Sequence, residues 1–229
     1  MTNIVLLDTE AHRTLKVQAG ASAALGDNER FIQVVVREFP LLAVHYPILF
    51  SKDTNTGGFY CGVMLGFDVG ENLFLGDGGR DAYRPLNLQR LPFYASTSGL
   101  GIDLDSPRVD KDKGEPLFTD SGEPTPYLQS VVTLFNELRP GIEQTNAFIA
   151  IMLQHNLIEP IELDIGFDDG GTRKVQGLYT INQEALRALP DATIVDLFRR
   201  GYLQLVYLMI ASLKQIPVLA QKKNRRLLD

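Results

Sequence analysis

The chain has 229 residues, of which 45% are hydrophobic and 22% are charged, and its formal net charge is −6. This is the composition of a soluble globular protein that can bury a sizeable core. The acidic balance excludes a general attraction to nucleic acid or to anionic membrane surfaces, and the single cysteine, Cys61, excludes an internal disulfide.

The N-terminus lacks the basic and apolar regions of a signal peptide. The most apolar stretch, 201–213, is shorter than the roughly 20 residues that a membrane span needs. We therefore expect a cytoplasmic protein with no transmembrane segment. The basic run 222–226 is interpreted as a solvated tail, with a small phosphate-binding patch as the alternative.

The first half of the chain is predicted to be β-rich. Short β-branched or apolar runs predict strands at 31–37, 47–50, 59–67, 72–75, 102–105 and 116–118. Because a Gly-Glu turn separates 59–67 from 72–75, these two runs predict a hairpin. Stretches rich in Gly, Asp, Asn and Thr predict loops at 51–58 and 76–82.

The second half begins with the pattern of a long helix. Thr125 and Pro126 form an N-cap and first-turn pair, and the apolar residues that follow recur with the period of one helix face. Pro140 interrupts that face, so we expect two helical segments with a bend between them, ending near Asn156. The alternating runs around an Asp-Gly turn that follow predict a β-hairpin, with strands at 161–167 and 174–181.

The C-terminal region predicts further helices. A short helix is expected over 182–189, capped by Asn182. Thr193, with Asp196 three residues later, resembles a capping box and predicts a long helix through Leu213 with most of its circumference covered by protein. The simplest fold is one α+β domain over residues 1–229, with a β-rich N-terminal half of antiparallel strands and hairpins and a helical C-terminal half packed against it.

The sequence patterns typical of metal, cofactor and catalytic sites are missing. The histidines, His12, His45 and His155, are far apart and form no close ligand pair, so no metal or other cofactor is expected. The acidic stretch 103–115 fails the spacing of a calcium loop and is interpreted as a solvated loop. No nucleophile elbow or phosphate-binding glycine loop occurs, and Cys61 lies in an apolar strand pattern that favours packing.

The segment YRPLNLQRLPFYA, residues 83–95, fits neither a helix nor a strand period. Its two prolines favour extended backbone before them and leave room for about one helical turn between them. In one interpretation it is a structural crossover anchored by aromatic side chains, in which Arg84 and Arg90 bind loop carbonyls or the nearby Asp77 and Asp81. In the other it forms the rim of a peptide or carboxylate site, because a guanidinium suits such groups.

Several short motifs follow one another in a definite order: HYPILF at 45–50, GVMLGF at 62–67, NLFL at 72–75, then Tyr83, Pro85, Arg90, Pro92 and Phe93, and downstream GEPLF at 114–118, LIEP at 157–160 and GLYTIN at 177–182. In order and spacing these motifs resemble the SapC family of bacterial proteins over about residues 30–220. The chain departs from that family's pattern because it has no tryptophan before Tyr83, and because Leu91 stands where the family often has a second arginine.

The resemblance implies an accessory role. Similar proteins are encoded near TonB-dependent receptors, halogenase-like proteins and cupin-type hydroxylase-like proteins. We therefore expect a non-catalytic binding protein that acts, through a protein or peptide partner, with a peptide- or nutrient-uptake or modification system. Self-association into a homo-oligomer stays open.

The residues predicted to bind are Tyr83, Arg84, Arg90, Phe93, Tyr46, His45 and Asp77. One alternative is an enzyme of an unrecognised type, in which His45 acts as a base in a pocket that also holds Tyr46, Arg84 and Asp77. Another alternative, suggested by the family name, is a structural component of a surface layer.

Overall fold

The structure is a computed structural model that describes residues 3–76 and 82–228. Its strands are β1 Ile4–Leu6, β2 Lys16–Val17, β3 Phe31–Gln33, β4 Ile48–Lys52, β5 Phe59–Met64, β6 Phe93–Ser96, β7 Gly99–Asp103, β8 Val109–Asp110, β9 Glu115–Pro116, β10 Ile158–Gly166 and β11 Thr172–Ile181. Its α-helices are α1 Phe39–Leu42, α2 Leu86–Gln89, α3 Pro126–Gln154, α4 Gln183–Arg187, α5 Asp191–Arg199, α6 Tyr202–Ser212 and α7 Gln215–Leu228. Short 3₁₀ helices lie at Ala23–Leu25 and Val36–Glu38.

The predicted α+β class is confirmed, with antiparallel sheets in the N-terminal half and helices in the C-terminal half. A five-stranded sheet has the strand order β10-β11-β4-β5-β3, and all of its pairings are antiparallel. The hairpin predicted around the Asp-Gly turn is confirmed as β10 and β11. A second sheet has the order β1-β7-β6, and a third has the order β8-β2-β9.

Helices cover the five-stranded sheet on both faces. On one face Phe50 of β4 stacks on Phe148 of α3, with ring centroids 6.1 Å apart, in the cluster that also holds Met209 of α6. On the other face Leu49 belongs to the cluster that contains Leu219 of α7. A strand that is buried on both faces has a continuous apolar run, which is why the sequence of β4 shows no alternation.

The second sheet packs against the N-terminal half of α3. Phe93 of β6 and Ile102 of β7 are both 0% exposed, and they share a core cluster with Leu128 and Val131 of α3. The segment that precedes β6 connects this sheet to the rest of the chain. It therefore lies where the two sheets and α3 approach one another.

The predicted strand at 72–75, and with it the hairpin over 59–75, is wrong. The side chain of Asn72 bonds to the backbone instead: its oxygen accepts the Phe74 N–H at 2.9 Å, and its amide donates to the Asp27 carbonyl at 2.8 Å. Such bonds offer the backbone an alternative to a strand ladder. The strand predicted over 31–37 is also too long, because Glu38 accepts the Val35 N–H at 3.0 Å and the chain turns into a 3₁₀ helix there.

The expectation of two helical segments around Pro140 is wrong, because α3 is one helix of 29 residues with Pro140 inside it. The turn after the proline is held by one bond within the helix and one bond from outside it. Thr145 donates its hydroxyl to the Gly141 carbonyl at 2.7 Å and accepts the Val36 N–H at 3.0 Å. These bonds fix the helix against the 3₁₀ helix at Val36–Glu38.

The long helix predicted from Thr193 is in fact two helices. α5 begins at Asp191 after Pro190, so the capping-box prediction is wrong, and Gly201, with φ of 76°, separates α5 from α6. The expectation that protein covers most of the circumference of this helical region is also wrong, because Phe198 of α5 is 72% exposed and Tyr207 of α6 is 58% exposed. The short helix capped by Asn182 is confirmed as α4.

The basic run 222–226 is not a solvated tail, as was expected, because it belongs to α7. Lys223 bonds to Asp68 at 2.9 Å and also to Glu71, and Arg226 donates to the Leu75 carbonyl at 2.9 Å. By length and composition alone, the stretch Tyr202–Leu228, with a mean hydropathy of 1.5 over its most apolar window, would suffice to cross a membrane. Core helices of soluble proteins meet the same criterion but are mostly buried, whereas 22% of this window is buried.

Candidate binding site

The segment 83–95 forms one helical turn, α2, between its two prolines, as its sequence predicts. Leu86 and Leu88 are buried, and the Leu86 N–H donates to Oε1 of the buried Glu38 at 2.7 Å. The Leu91–Pro92 peptide bond is cis. These contacts hold the backbone of the segment against the 3₁₀ helix at Val36–Glu38.

Tyr83 and Glu38 form a polar contact beneath this segment. Burial raises the pKa of Glu38 above its ordinary value, while the bonds from Leu86, Val35 and Tyr83 act in the opposite direction. Burial also raises the pKa of Tyr83, and the charge of Glu38 adds to that rise. Both groups therefore serve as hydrogen-bonding partners inside the protein.

The guanidinium of Arg90 forms its contacts with residues of its own segment. Its Nε donates to Asn87 at 2.7 Å, its Nη1 donates to the Phe93 carbonyl at 2.8 Å, and its guanidinium lies 4.6 Å from the ring centroid of Tyr94. Burial lowers the pKa of Arg90. Arg90 thus has the role described by the crossover interpretation, that of an arginine that binds loop carbonyls.

Arg84 has a different environment, because it belongs to a buried charge cluster with Asp27 and Arg108. Arg84 Nη2 donates to Asp27 Oδ1 at 2.8 Å, and Arg108 Nη2 donates to Asp27 Oδ2 at 2.6 Å. The Asp27 side chain is 0% exposed, that of Arg108 is 1% exposed and that of Arg84 is 24% exposed. Asp27 also accepts the Ser22 N–H at 2.9 Å, so its carboxylate is fully engaged.

The two guanidiniums have donors to spare. Arg84 donates to the Leu88 carbonyl, and Arg108 donates through Nη1 to the carbonyls of Gln18 and Gly20. The Nε atoms of both arginines, however, are buried and make no hydrogen bond with any residue that the structure describes. A buried donor without a partner costs about 1–3 kcal/mol, so these two atoms call for an explanation.

Two cavities border the cluster, and Arg84 lines both of them. The first has a volume of about 360 Å³ and is lined by Arg84, Arg108, Tyr127 and residues of α2 and α3. The second has a volume of about 440 Å³ and is lined by Arg84, Asp27, Tyr46 and Phe74, among others. Cavities of this size fit small organic ligands.

Tyr127, on the first turn of α3, completes the charged side of the first cavity. Burial raises the pKa of its hydroxyl, while the charges of Arg108 and Arg84 act in the opposite direction. Tyr127 lines the first cavity together with both arginines. Its ring lies 6.3 Å from that of Phe93.

The remaining predicted residues are distributed unevenly. Tyr46 lines the second cavity and donates its hydroxyl to the Tyr83 carbonyl at 2.8 Å. His45 is half-buried with its ring 5.9 Å from that of Tyr46, and does not itself line that cavity. Phe93 is fully buried, and its ring lies near that of Tyr127, which lines the first cavity. Asp77 lies outside the described residues.

Asp27, Arg108 and Tyr127 were not predicted as site residues. The interpretation of 103–115 as a solvated loop is wrong for Arg108, which is buried, and also for Asp103, which is 7% exposed. No local pattern points to the cluster, because Asp27 is 57 residues from Arg84 and 81 residues from Arg108. The one available signal was Arg84 itself, whose partner the sequence could not identify.

No group of three or more His, Cys, Asp or Glu side chains that could hold a metal ion occurs within residues 3–76 and 82–228. The family model for SapC matches residues 7–219, so the chain belongs to the SapC family, as its motifs suggested. No curated protein and no solved structure matches the chain.

Proposed function

We propose that this member of the SapC family is a non-catalytic binding protein, which holds a small molecule or a segment of a peptide at the two cavities beside Arg84. The observation that carries the proposal is that one partly exposed arginine, fixed by a buried carboxylate, lines both cavities. Concave sites with a few well-placed polar groups are the usual form of ligand sites.

The polar groups around the cavities favour holding a ligand over transforming it. Tyr46 donates to a backbone carbonyl, Glu38 accepts two backbone N–H groups, and Asp27 accepts from two arginines and a backbone N–H. An acid or base that is engaged in this way is poorly placed to exchange a proton with a substrate. The unsatisfied donors belong to arginines, which stay protonated and bind anions.

The proposal includes the partners that the family resemblance implies. The protein would act in the cytoplasm with a modification or nutrient-uptake system, and would present its ligand to an enzyme or receptor of that system. Its acidic net charge of −6 supports a protein or small-molecule partner over a nucleic acid.

A capture experiment from the native host tests the proposal. The tagged chain is purified under mild conditions, and retained molecules and co-purifying proteins are identified by mass spectrometry. We expect a retained small molecule or peptide together with an enzyme or receptor of the proposed system. Recovery of the chain with neither would contradict the proposal.

Three exposed alanines close together in the chain offer matched variants for the same experiment. Ala19 lines the first cavity, Ala21 lines the second, and Ala24 lines neither. A tryptophan at Ala19 or Ala21 would obstruct one cavity, whereas Ala24→Trp controls for the added ring. We expect at least one of the first two variants to lose the retained molecule, and the control to keep it.

A further inference from the structure

The first cavity has an excess of positive charge at its inner end. Arg108, 1% exposed, and Arg84, 24% exposed, both line it, and the single carboxylate of Asp27 balances only one of the two guanidinium charges. Glu137, on the exposed surface of α3, is the acidic residue among the other lining residues. The buried cluster thus carries one uncompensated positive charge.

Hydrogen bonds within the protein do not use all the N–H donors of Arg84 and Arg108. The Nη atoms of Arg108 are bonded to Asp27 and to two backbone carbonyls. Its Nε and the Nε of Arg84 are buried and have no hydrogen-bond partner within residues 3–76 and 82–228. A guanidinium recognises a carboxylate through two parallel N–H groups. Two adjacent guanidiniums that line one cavity and share a single carboxylate therefore point to an anionic ligand.

We infer that the first cavity binds a single carboxylate group attached to an apolar body. This inference rests on the binding function proposed above. The carboxylate would accept from Arg84 and Arg108, with the Tyr127 hydroxyl beside it. Because Glu137 also lines the cavity and would repel an anion, a singly charged carboxylate suits the site better than a phosphate dianion. The apolar body would lie against Leu86, Leu91 and Leu134, which also line the cavity.

Such a carboxylate has two sources, a small organic acid or the C-terminus of a peptide, and the probes must separate them. The small-acid probe is N-acetyl-L-phenylalanine, and its control is N-acetyl-L-phenylalaninamide, which differs only at the carboxylate. The peptide probes are Ala-Ala-Ala-Phe with a free and with an amidated C-terminus. Inorganic phosphate is the fifth probe, and binding is measured by isothermal titration calorimetry on the full chain.

We expect at least one of the two acids to bind ten-fold or more tightly than its amide, and inorganic phosphate to bind more weakly than that acid. Tighter binding of the peptide acid would assign the site to a C-terminus, and tighter binding of the small acid would assign it to an organic acid. Equal binding of acids and amides, binding of phosphate as tight as that of the acids, or no binding of either acid would overturn the inference.

Variants locate the bound carboxylate. Ala19→Trp is expected to abolish binding of the acid, whereas Ala21→Trp and Ala24→Trp keep it, because only Ala19 of the three lines this cavity. Arg84→Gln is expected to weaken binding of the acid ten-fold or more and to leave that of the amide unchanged. If Arg84→Gln does not fold, Tyr127→Phe gives a milder test, with an expected loss of about two- to five-fold confined to the acid.

The outcomes separate this inference from the proposed function. Loss of binding in Ala21→Trp with retention in Ala19→Trp would place the ligand in the other cavity, overturning the carboxylate assignment while leaving a binding protein. Absence of any retained molecule from the native host would contradict the binding function itself. Acid binding that responds to Ala19→Trp and to Arg84→Gln supports both.

Discussion

Asp27 is the residue on which the charge cluster depends. Its buried carboxylate accepts from Arg84, Arg108 and the Ser22 N–H, and an asparagine there would turn donor atoms toward a guanidinium. Breaking a buried ion pair by removing one partner costs about 3–5 kcal/mol. We expect Asp27→Asn to lower the free energy of unfolding by that amount, as measured by urea denaturation.

The matched control for this variant is Asp105→Asn. Asp105 is exposed and forms no ion pair with the described residues, so its change is expected to alter stability by less than about 0.5 kcal/mol. Similar losses from the two variants would mean that Asp27 does not hold the arginines as described.

Glu38 gives the protein a pH-dependent contribution to stability. Its folded pKa lies above the ordinary value of 4.5 because burial disfavours the charged carboxylate. Its contribution is therefore complete below about pH 4.5 and declines as the pH rises through its folded pKa. We expect the difference in unfolding free energy between the wild type and Glu38→Gln to be smaller at pH 7 than at pH 4.

Glu143→Gln is the control for this pH profile, because Glu143 lies exposed on α3. Its difference from the wild type is expected to stay nearly constant over the same pH range. A wild-type advantage over Glu38→Gln that grows with pH would contradict the assigned direction of the pKa shift.

At this residue scale the sequence could predict which side chains are suited to a site, but not which of them meet. Arg84 was predicted because a guanidinium suits carboxylates and carbonyls, and it does line both cavities. Asp27 and Arg108 carry no local signal, because a carboxylate in one loop and an arginine in another look solvated until long-range contacts bury them. Their partnership is a property of the tertiary structure.

Close approach between α3 and the 3₁₀ helix at Val36–Glu38 depends on Gly141. A Cβ atom at Gly141 would lie 2.8 Å from Val35 Cγ2 and 3.0 Å from Val35 Cβ, and Val35 is only 2% exposed. Overpacking of this kind costs about 1–3 kcal/mol, whereas alanine gains about 1 kcal/mol in helix propensity. We expect Gly141→Ala to lower the unfolding free energy by about 1 kcal/mol.

Gly166→Ala, at the end of β10, is the matched substitution, because a Cβ atom there would meet nothing within 4 Å. It should leave stability unchanged or slightly higher. If thermal or urea unfolding ranks the two variants in the reverse order, α3 does not pack on Val35 as closely as the structure indicates.

Local patterns predicted elements well where local forces decide them. The Asp-Gly hairpin, the Asn182 cap and the start of α3 at Pro126 were all predicted correctly. The failures occur where long-range contacts intervene. Pro140 stays inside a helix whose next turn is fixed by the bond from the Val36 N–H to Thr145, and Asn72 leaves the strand pattern to bind the Asp27 carbonyl. A sequence window does not contain those partners.

Over the whole molecule, Cys61 offers a probe of global opening. It is the only cysteine of the chain, is 0% exposed, and lies on β5 inside the five-stranded sheet, where burial raises the pKa of its thiol. Reaction with a thiol reagent therefore requires the sheet to open. We expect the free energy obtained from the labelling rate in increasing urea to equal that of global unfolding.

The control is Thr97→Cys in a Cys61→Ala background, which places the thiol in the exposed turn between β6 and β7 and should react at the rate of a free thiol. Labelling also reports ligand binding, because a ligand that binds only the folded chain lowers the population of the open state, and with it the labelling rate, by the factor 1 + [L]/Kd. Native Cys61 reacting as fast as this control would mean that the sheet opens locally. The two helical layers on its faces would then not protect it as a single cooperative unit.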